Sequence, residues 1–214
     1  EAEGGFTLGD KVALVAGHSL GEYAALAAAV AFDVPTAARL LRLRGEAMQK
    51  AVPPGEGAMA ALLGAEMDQA LSICAEAATD PLTQQKQVVE VANDNGGGQI
   101  VISGATAAVD RAIELAKAAG VKRAMKLPVS APFHCAMMAP AADAMAEALD
   151  NATMAAPRVP VVANVSAGKA TDPAEIRALL VRQVTGTVRW RECILAMGAM
   201  GCDRFVEVGS GKVL

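Results

Sequence analysis

The chain has 214 residues, 53% of them apolar and 20% charged, which suffices for one sizeable core with a smaller lobe inserted in it. Aromatics at 3% and a net charge of −4 exclude stacking platforms and global attraction to polyanions, so no nucleic-acid partner is expected. Four scattered cysteines (Cys74, Cys135, Cys193, Cys202), no leader pattern and no uncharged apolar run of 18 residues predict a cytoplasmic protein without disulfides, metal site or membrane contact.

Residues 1–10 are polar and glycine-rich and read as a linker. Val12–Ala16 is a short apolar strand, followed by Gly17-His18-Ser19-Leu20-Gly21 and an alanine-rich helix over 20–30. Strand, tight turn and helix around Gly-x-Ser-x-Gly form the context of a nucleophile elbow. Gly17 and Gly21 are expected to let strand and helix approach closely. The serine then sits in a strained conformation at the positive end of the helix. Asp33 or Thr36 starts a helix over 36–51. Its charges Arg39, Arg42, Arg44, Glu46 and Lys50 lie all around it, so at least one must face something other than solvent.

From Gly57 the texture changes. Ala58–Leu63 predicts a strand and Glu66–Ala78 an amphipathic helix, with Met67, Ala70, Leu71 and Cys74 inward. Val88–Asn93 and Ile100–Ser103 are strands around the turn-rich Asn93–Gly98, whose glycines suit a hairpin better than a phosphate loop. Thr106 caps a helix over 107–119, and Val121–Val129 is a strand. The order strand–helix–strand–strand–helix–strand is the ferredoxin-like arrangement.

Beyond Pro128, Ser130–His134 is a loop, and helix 137–150 turns Met137, Met138, Ala141, Ala144, Met145 and Leu149 inward. Val159–Val165 suits a buried parallel strand. Thr171 or Asp172 caps helix 173–184, helix 190–200 ends at Gly201, and Phe205–Val208 is the last strand. The Gly209–Lys212 tail lacks the spacing of a P-loop. The fold class expected is α/β: an α/β-hydrolase-like core with a parallel sheet, built from 1–56 and 128–214, carrying an inserted ferredoxin-like subdomain over 57–127.

Ser19 as a nucleophile needs a base, and the chain has only two histidines. His18 adjoins the serine and diverges from it, so it shapes the pocket or packs. His134, in a loop re-entering the core, is the base by elimination. No carboxylate stands out as the third member, and a backbone carbonyl would hold the imidazole tautomer equally well.

Several segments together resemble the bacterial malonyl-CoA:acyl-carrier-protein transacylases of fatty-acid synthesis. They are Gly17–Leu26, Leu43-Arg44-Gly45 with Met48-Gln49, Pro132–Cys135, Pro160–Val165, Leu180–Gln183 and Glu207–Leu214, in the family's order along nearly the whole chain. The resemblance implies that Ser19 carries the acyl group, that His134 is its base, that Gln183 offers its main-chain carbonyl to the imidazole and that the N–H of Leu20 is half of the oxyanion hole. It further implies that Arg44 pairs with the malonyl carboxylate, in keeping with the planar fork of a guanidinium. Phe133, His18, Met48 and Asn164 join Arg44 at the substrate, the phenyl ring resembling malonyl-selective members.

The implied substrates are malonyl-CoA and an acyl carrier protein, the implied cofactor is none, and a monomer is expected. An acidic carrier calls for a local basic patch, either Arg182, Arg189 and Arg191 or Lys122, Arg123 and Lys126. The family also has a Gly-Gln-Gly-Ser-Gln loop, whose glutamine is the other oxyanion donor, and a further C-terminal helix; this sequence contains neither and reads as a truncated representation. The competing readings are a serine esterase or thioesterase, for which Arg44 has no use, and a catalytically incomplete fragment.

Overall fold

A computed structural model describes residues 5–209. Among them are seven α-helices and two sheets, one mixed and one antiparallel. The mixed sheet is small: β1 (Val15–Ala16) pairs in parallel with β6 (Val161–Val162), which pairs antiparallel with β7 (Lys169–Ala170). The second sheet comprises β2 (Gly57–Leu63), β3 (Val89–Asp94), β4 (Gln99–Ala105) and β5 (Arg123–Lys126) in the order β3-β4-β2-β5. Helices α3 (Met67–Ala77) and α4 (Thr106–Ala118) connect its strands. The Asn95–Gly98 turn joins β3 to β4, with positive φ at Gly96, Gly97 and Gly98, so the glycine run is a hairpin as expected.

Two apolar clusters divide the chain. One draws only on residues 58–124, with Leu62, Ile102, Val109 and Ala112 at its centre. The other draws on α1 (Gly21–Ala28), α2 (Val34–Lys50), α5 (Ala139–Asp150) and α6 (Pro173–Thr185), with Leu26, Met138, Met145, Leu149 and Leu180 fully buried. Methionine and alanine fill it because the sequence has few aromatics, and Met adapts to irregular gaps. The last helix, α7 (Trp190–Ala199), packs Trp190, Cys193 and Met197 onto Val162 and Val188.

Several sequence expectations are corrected. The N-cap of α2 is Asp33, whose side chain accepts the Thr36 N–H at 2.7 Å, and Asp172 does the same for α6. Thr106 is not a cap but the first residue of α4, its hydroxyl donating to the Gly55 carbonyl at 2.7 Å. On α3 the inward face is Ala70, Ile73, Cys74 and Ala77, leaving Leu71 outside. Phe205–Val208, expected as a strand, is irregular and exposed. The tail from Ser210 to Lys212 lies outside the described residues.

Candidate active site

β1 runs into the turn at Gly17–Gly21, and α1 leaves it. A Cβ at Gly17 would lie 2.0 Å from the Gly21 carbonyl oxygen, so glycine is required there, whereas one at Gly21 would meet open space. The close approach is therefore made by Gly17 alone, correcting the expectation for both. Ser19 has φ 52°, a conformation that costs a non-glycine residue about 1–2 kcal/mol. Neighbours hold it there. Its N–H donates to Asn164 Oδ1 at 2.7 Å, and its carbonyl accepts from Gln183 Nε2 at 3.0 Å.

Ser19 Oγ lies 2.8 Å from His134 Nε2, and His134 Nδ1 lies 2.8 Å from the Gln183 carbonyl oxygen. A carbonyl only accepts, so Nδ1 carries the proton and Nε2 is left to accept from the serine hydroxyl. Gln183 sits in the last turn of α6, where carbonyls have no intrahelical partner, and so its oxygen is available. Burial, aided by the charge of Arg44, holds the imidazole of His134 down at about 4, which keeps it a neutral base.

Arg44 projects from α2 and is 6% exposed, despite its place on a helix of charged residues. Its Nη2 donates to Ser19 Oγ at 3.0 Å and to Gln183 Oε1 at 3.0 Å. Its Nε is buried with no partner among the described residues. Such an orphaned donor costs about 1–3 kcal/mol, more for a charged group, unless something accepts from it. The site therefore holds a neutral base, a hydroxyl bonded to it and a desolvated cation with spare donor capacity beside that hydroxyl.

Comparison with known proteins places the whole chain. Residues 5–213 match the model of the acyl transferase domain. The chain belongs to that acyltransferase family. It is 48% identical over 206 residues to the malonyl CoA-acyl carrier protein transacylase of Escherichia coli (strain K12), covering 96% of this chain and 65% of that protein. Against the protein of the same description from Bacillus subtilis (strain 168) it is 47% identical over 199 residues, 93% of this chain and 61% of the other. The crystal structure of acyl-carrier-protein-S-malonyltransferase from Bartonella henselae superposes with a TM-score of 0.92 at 51% identity, covering 98% of this chain and 65% of that one. A malonyl-transacylase in complex with a type II PKS acyl-carrier protein superposes with a TM-score of 0.84 at 44% identity, over 88% of this chain and 59% of that one. The chain thus spans somewhat under two thirds of the length of these acyltransferases.

The other residues expected at the site are placed less uniformly. Leu20 is the N-cap of α1 and 59% exposed, with its backbone at the mouth of the turn. Phe133 is half-buried beside His134 and packs on the larger core. His18, also expected at the substrate, has its Nε2 2.8 Å from Asn95 Oδ1 and its ring edge-on to Trp190. Met48 is 2% exposed in the core cluster. Asn164 is fully buried, with its Nδ2 donating to the Gly17 carbonyl at 2.8 Å and its Oδ1 taken by Ser19. Both were expected at the substrate; Met48 packs in the core cluster, and Asn164 fastens the elbow.

Sequence reasoning missed Glu22 and Asn95. Glu22 is 1% exposed, and its Oε2 accepts from the Asn164 N–H at 3.0 Å and from Gln183 Nε2 at 2.8 Å. Burial pushes its carboxyl up to about 7. The signal was a lone acid in the alanine-rich helix following the elbow. Asn95 sits in the β3–β4 hairpin, and nothing local marks it, since Asn is the ordinary residue of such a turn.

Proposed function

We propose that this chain carries the catalytic core of a transferase that moves a malonyl group from malonyl-CoA to the phosphopantetheine thiol of an acyl carrier protein. The observation that carries the reading is the buried Arg44, bonded to Ser19 Oγ and with an orphaned Nε. A malonyl thioester attacked by Ser19 brings a carboxylate to that guanidinium, which can then bind it bidentately. The similarity to proteins of that description supports the same choice of substrates. In the first half-reaction Ser19 Oγ bonds to the thioester carbon as His134 Nε2 takes the hydroxyl proton. The Leu20 N–H, at the positive end of α1, faces the developing oxyanion. Collapse breaks the C–S bond, and the imidazolium gives its proton to the departing thiolate, which leaves as the thiol. In the second half-reaction the carrier's thiol repeats these steps in reverse order of bond making.

Phe133 is assigned to limiting bulk at the α-carbon, a discrimination of about 1–3 kcal/mol for one methyl. The helices on a parallel β1–β6 pair support an α/β-hydrolase-like large subdomain over 1–56 and 128–214. The β3-β4-β2-β5 order, with α3 and α4 as its connections and a separate apolar cluster, supports a ferredoxin-like subdomain over 57–127. We also read the protein as a cytoplasmic monomer; among the described residues no helix is long and apolar enough to cross a membrane.

The testing measurement is intact mass spectrometry of the full chain after exposure to malonyl-CoA, beside a Ser19→Ala control. The reading expects a malonyl adduct on Ser19 that persists until a pantetheine thiol is added. An adduct lost to water at the same rate with or without thiol would establish a thioesterase instead.

A further inference from the structure

Among the described residues, the Asn164 and Gln183 side chains make the hydrogen bonds that reach the Ser19 backbone from beyond α1, and the Gln183 main-chain carbonyl lies 2.8 Å from His134 Nδ1. Asn164 binds the Ser19 N–H and the Gly17 carbonyl. Gln183 binds the Ser19 carbonyl and Arg44 through its amide, and His134 through its main chain. Both converge on one atom: Glu22 Oε2 accepts from the Asn164 backbone at 3.0 Å and from Gln183 Nε2 at 2.8 Å. Glu22 itself touches neither Ser19 Oγ nor the imidazole.

A primary amide has a donor end and an acceptor end, and its environment decides which way it points. Here Glu22 presents an acceptor and Arg44 a donor on opposite sides of the Gln183 amide. With Nε2 toward Glu22, Oε1 faces the guanidinium; the reverse orientation would set donor against donor and acceptor against acceptor. A hydrocarbon at position 22 would fit the buried face of α1 more cheaply, since an enclosed carboxylate carries a desolvation cost. We infer that Glu22 is a positioning residue: its carboxylate fixes the polarity of the Gln183 amide and the seat of Asn164, and through them the attack geometry of Ser19 and His134.

The inference rests on the transferase reading only in taking Ser19 as the nucleophile, so its test avoids malonyl-CoA. A fluorophosphonate labels an activated serine by forming an O–P bond and expelling fluoride, whatever the natural acyl donor. The labelling constants kinact and KI are to be measured on the full chain for the unaltered protein, Glu22→Gln, Glu22→Asp and Ser19→Ala, with thermal melts alongside. Glu22→Gln retains the shape and gains a donor that competes for the amide. We expect a cooperative melt, kinact lower by about tenfold or more, and KI within about threefold, the pattern of lost alignment. Glu22→Asp keeps the charge one methylene short and should lose about threefold or more in kinact.

Unaltered kinact in Glu22→Gln overturns the inference, as does a fall in the labelled fraction with kinact unchanged, which marks partial unfolding. If Glu22→Gln does not fold, Glu22→Asp decides: a folded variant with unaltered kinact overturns it. Should the unaltered protein label on Ser19 but form no malonyl adduct, the transferase reading fails and the positioning role still stands or falls on the variants. A protein that does not label at Ser19 has no aligned serine, and the inference fails.

Discussion

At the residue scale the site is a set of buried polar groups whose costs are offset only by one another. Arg44 is the test of substrate class. Arg44→Ala should lower kcat/KM for malonyl-CoA by about 10²–10³-fold, since truncating one member of a buried charge pair costs roughly 2–5 kcal/mol. Arg44→Lys should recover little of it, because an ammonium lacks the planar fork. A loss below threefold would point to a neutral acyl donor.

Two titrating groups of the site act on stability in opposite directions. His134 is held at about 4 against its ordinary 6.5. Between those values the unfolded chain binds the extra proton, so this group makes stability rise with pH, by about 3 kcal/mol in all. Glu22 is pushed up to about 7 from 4.5, so the folded state holds the extra proton and stability falls as pH rises through that window. The magnitude is again about 3 kcal/mol, and the contributions nearly cancel. Glu22→Gln removes only the falling part. Relative to the unaltered protein, urea melts of that variant should gain about 2 kcal/mol in stability between about pH 5 and 6.5. An unchanged slope would mean that Glu22 titrates alike in both states.

At the element scale, the elbow is made by backbone proximity rather than by any single strong bond. Gly17→Ala would drive a methyl into the Gly21 carbonyl, whereas Gly21→Ala would meet open space at the start of a helix. The first should abolish labelling of Ser19 and destabilise by several kcal/mol; the second should leave the melting temperature unchanged or slightly raised. Thermal melts of the two variants check this. Strand β3 does comparable work from the four-stranded sheet. Its Glu90 accepts the Ala136 N–H at 2.9 Å next to the His134 loop, and the Val91 carbonyl accepts from the Thr187 hydroxyl. Its Asp94 pairs with Arg191, and the adjoining Asn95 meets His18.

At the scale of the whole molecule, separate apolar clusters joined along β3 predict two units of opening. Native-state hydrogen exchange should show the slow amides of β2 and β4 sharing one opening free energy, distinct from that of α5 and α6. A single common value would contradict it. The surface charges bear on the carrier proposal. Arg189 pairs with Glu192, Arg191 with Asp94 and Lys126 with Asp110. Arg182 is exposed on α6, and Lys122 and Arg123 are exposed at the sheet edge. Reversing Lys122 and Arg123 should raise KM for the carrier and leave that for malonyl-CoA unchanged, since a rim charge acts on encounter with its own partner. An unchanged carrier KM would move the docking face elsewhere.

The sequence by itself determined the periodic and punctuated parts. The helices, the β3–β4 hairpin and the elbow were legible because apolar spacing, caps and glycine act within a few residues. Ser19 and His134 were legible through motif and scarcity, and Arg44 and Gln183 through resemblance alone. Tertiary structure decided the rest. Val15–Ala16 and Val161–Val162 are paired strands only because residues about 145 positions apart meet, whereas Phe205–Val208, apolar enough for a strand, runs irregular. That Met48 packs in the core cluster and Asn164 holds the Ser19 backbone was not legible, since what a side chain faces depends on how elements pack. Glu22 was marked only as a lone acid in an alanine-rich helix, and a glutamate at the start of a helix is commonly solvated. Only the convergence of Asn164 and Gln183 on its carboxylate, from distant parts of the chain, makes it the centre of the site's hydrogen bonding.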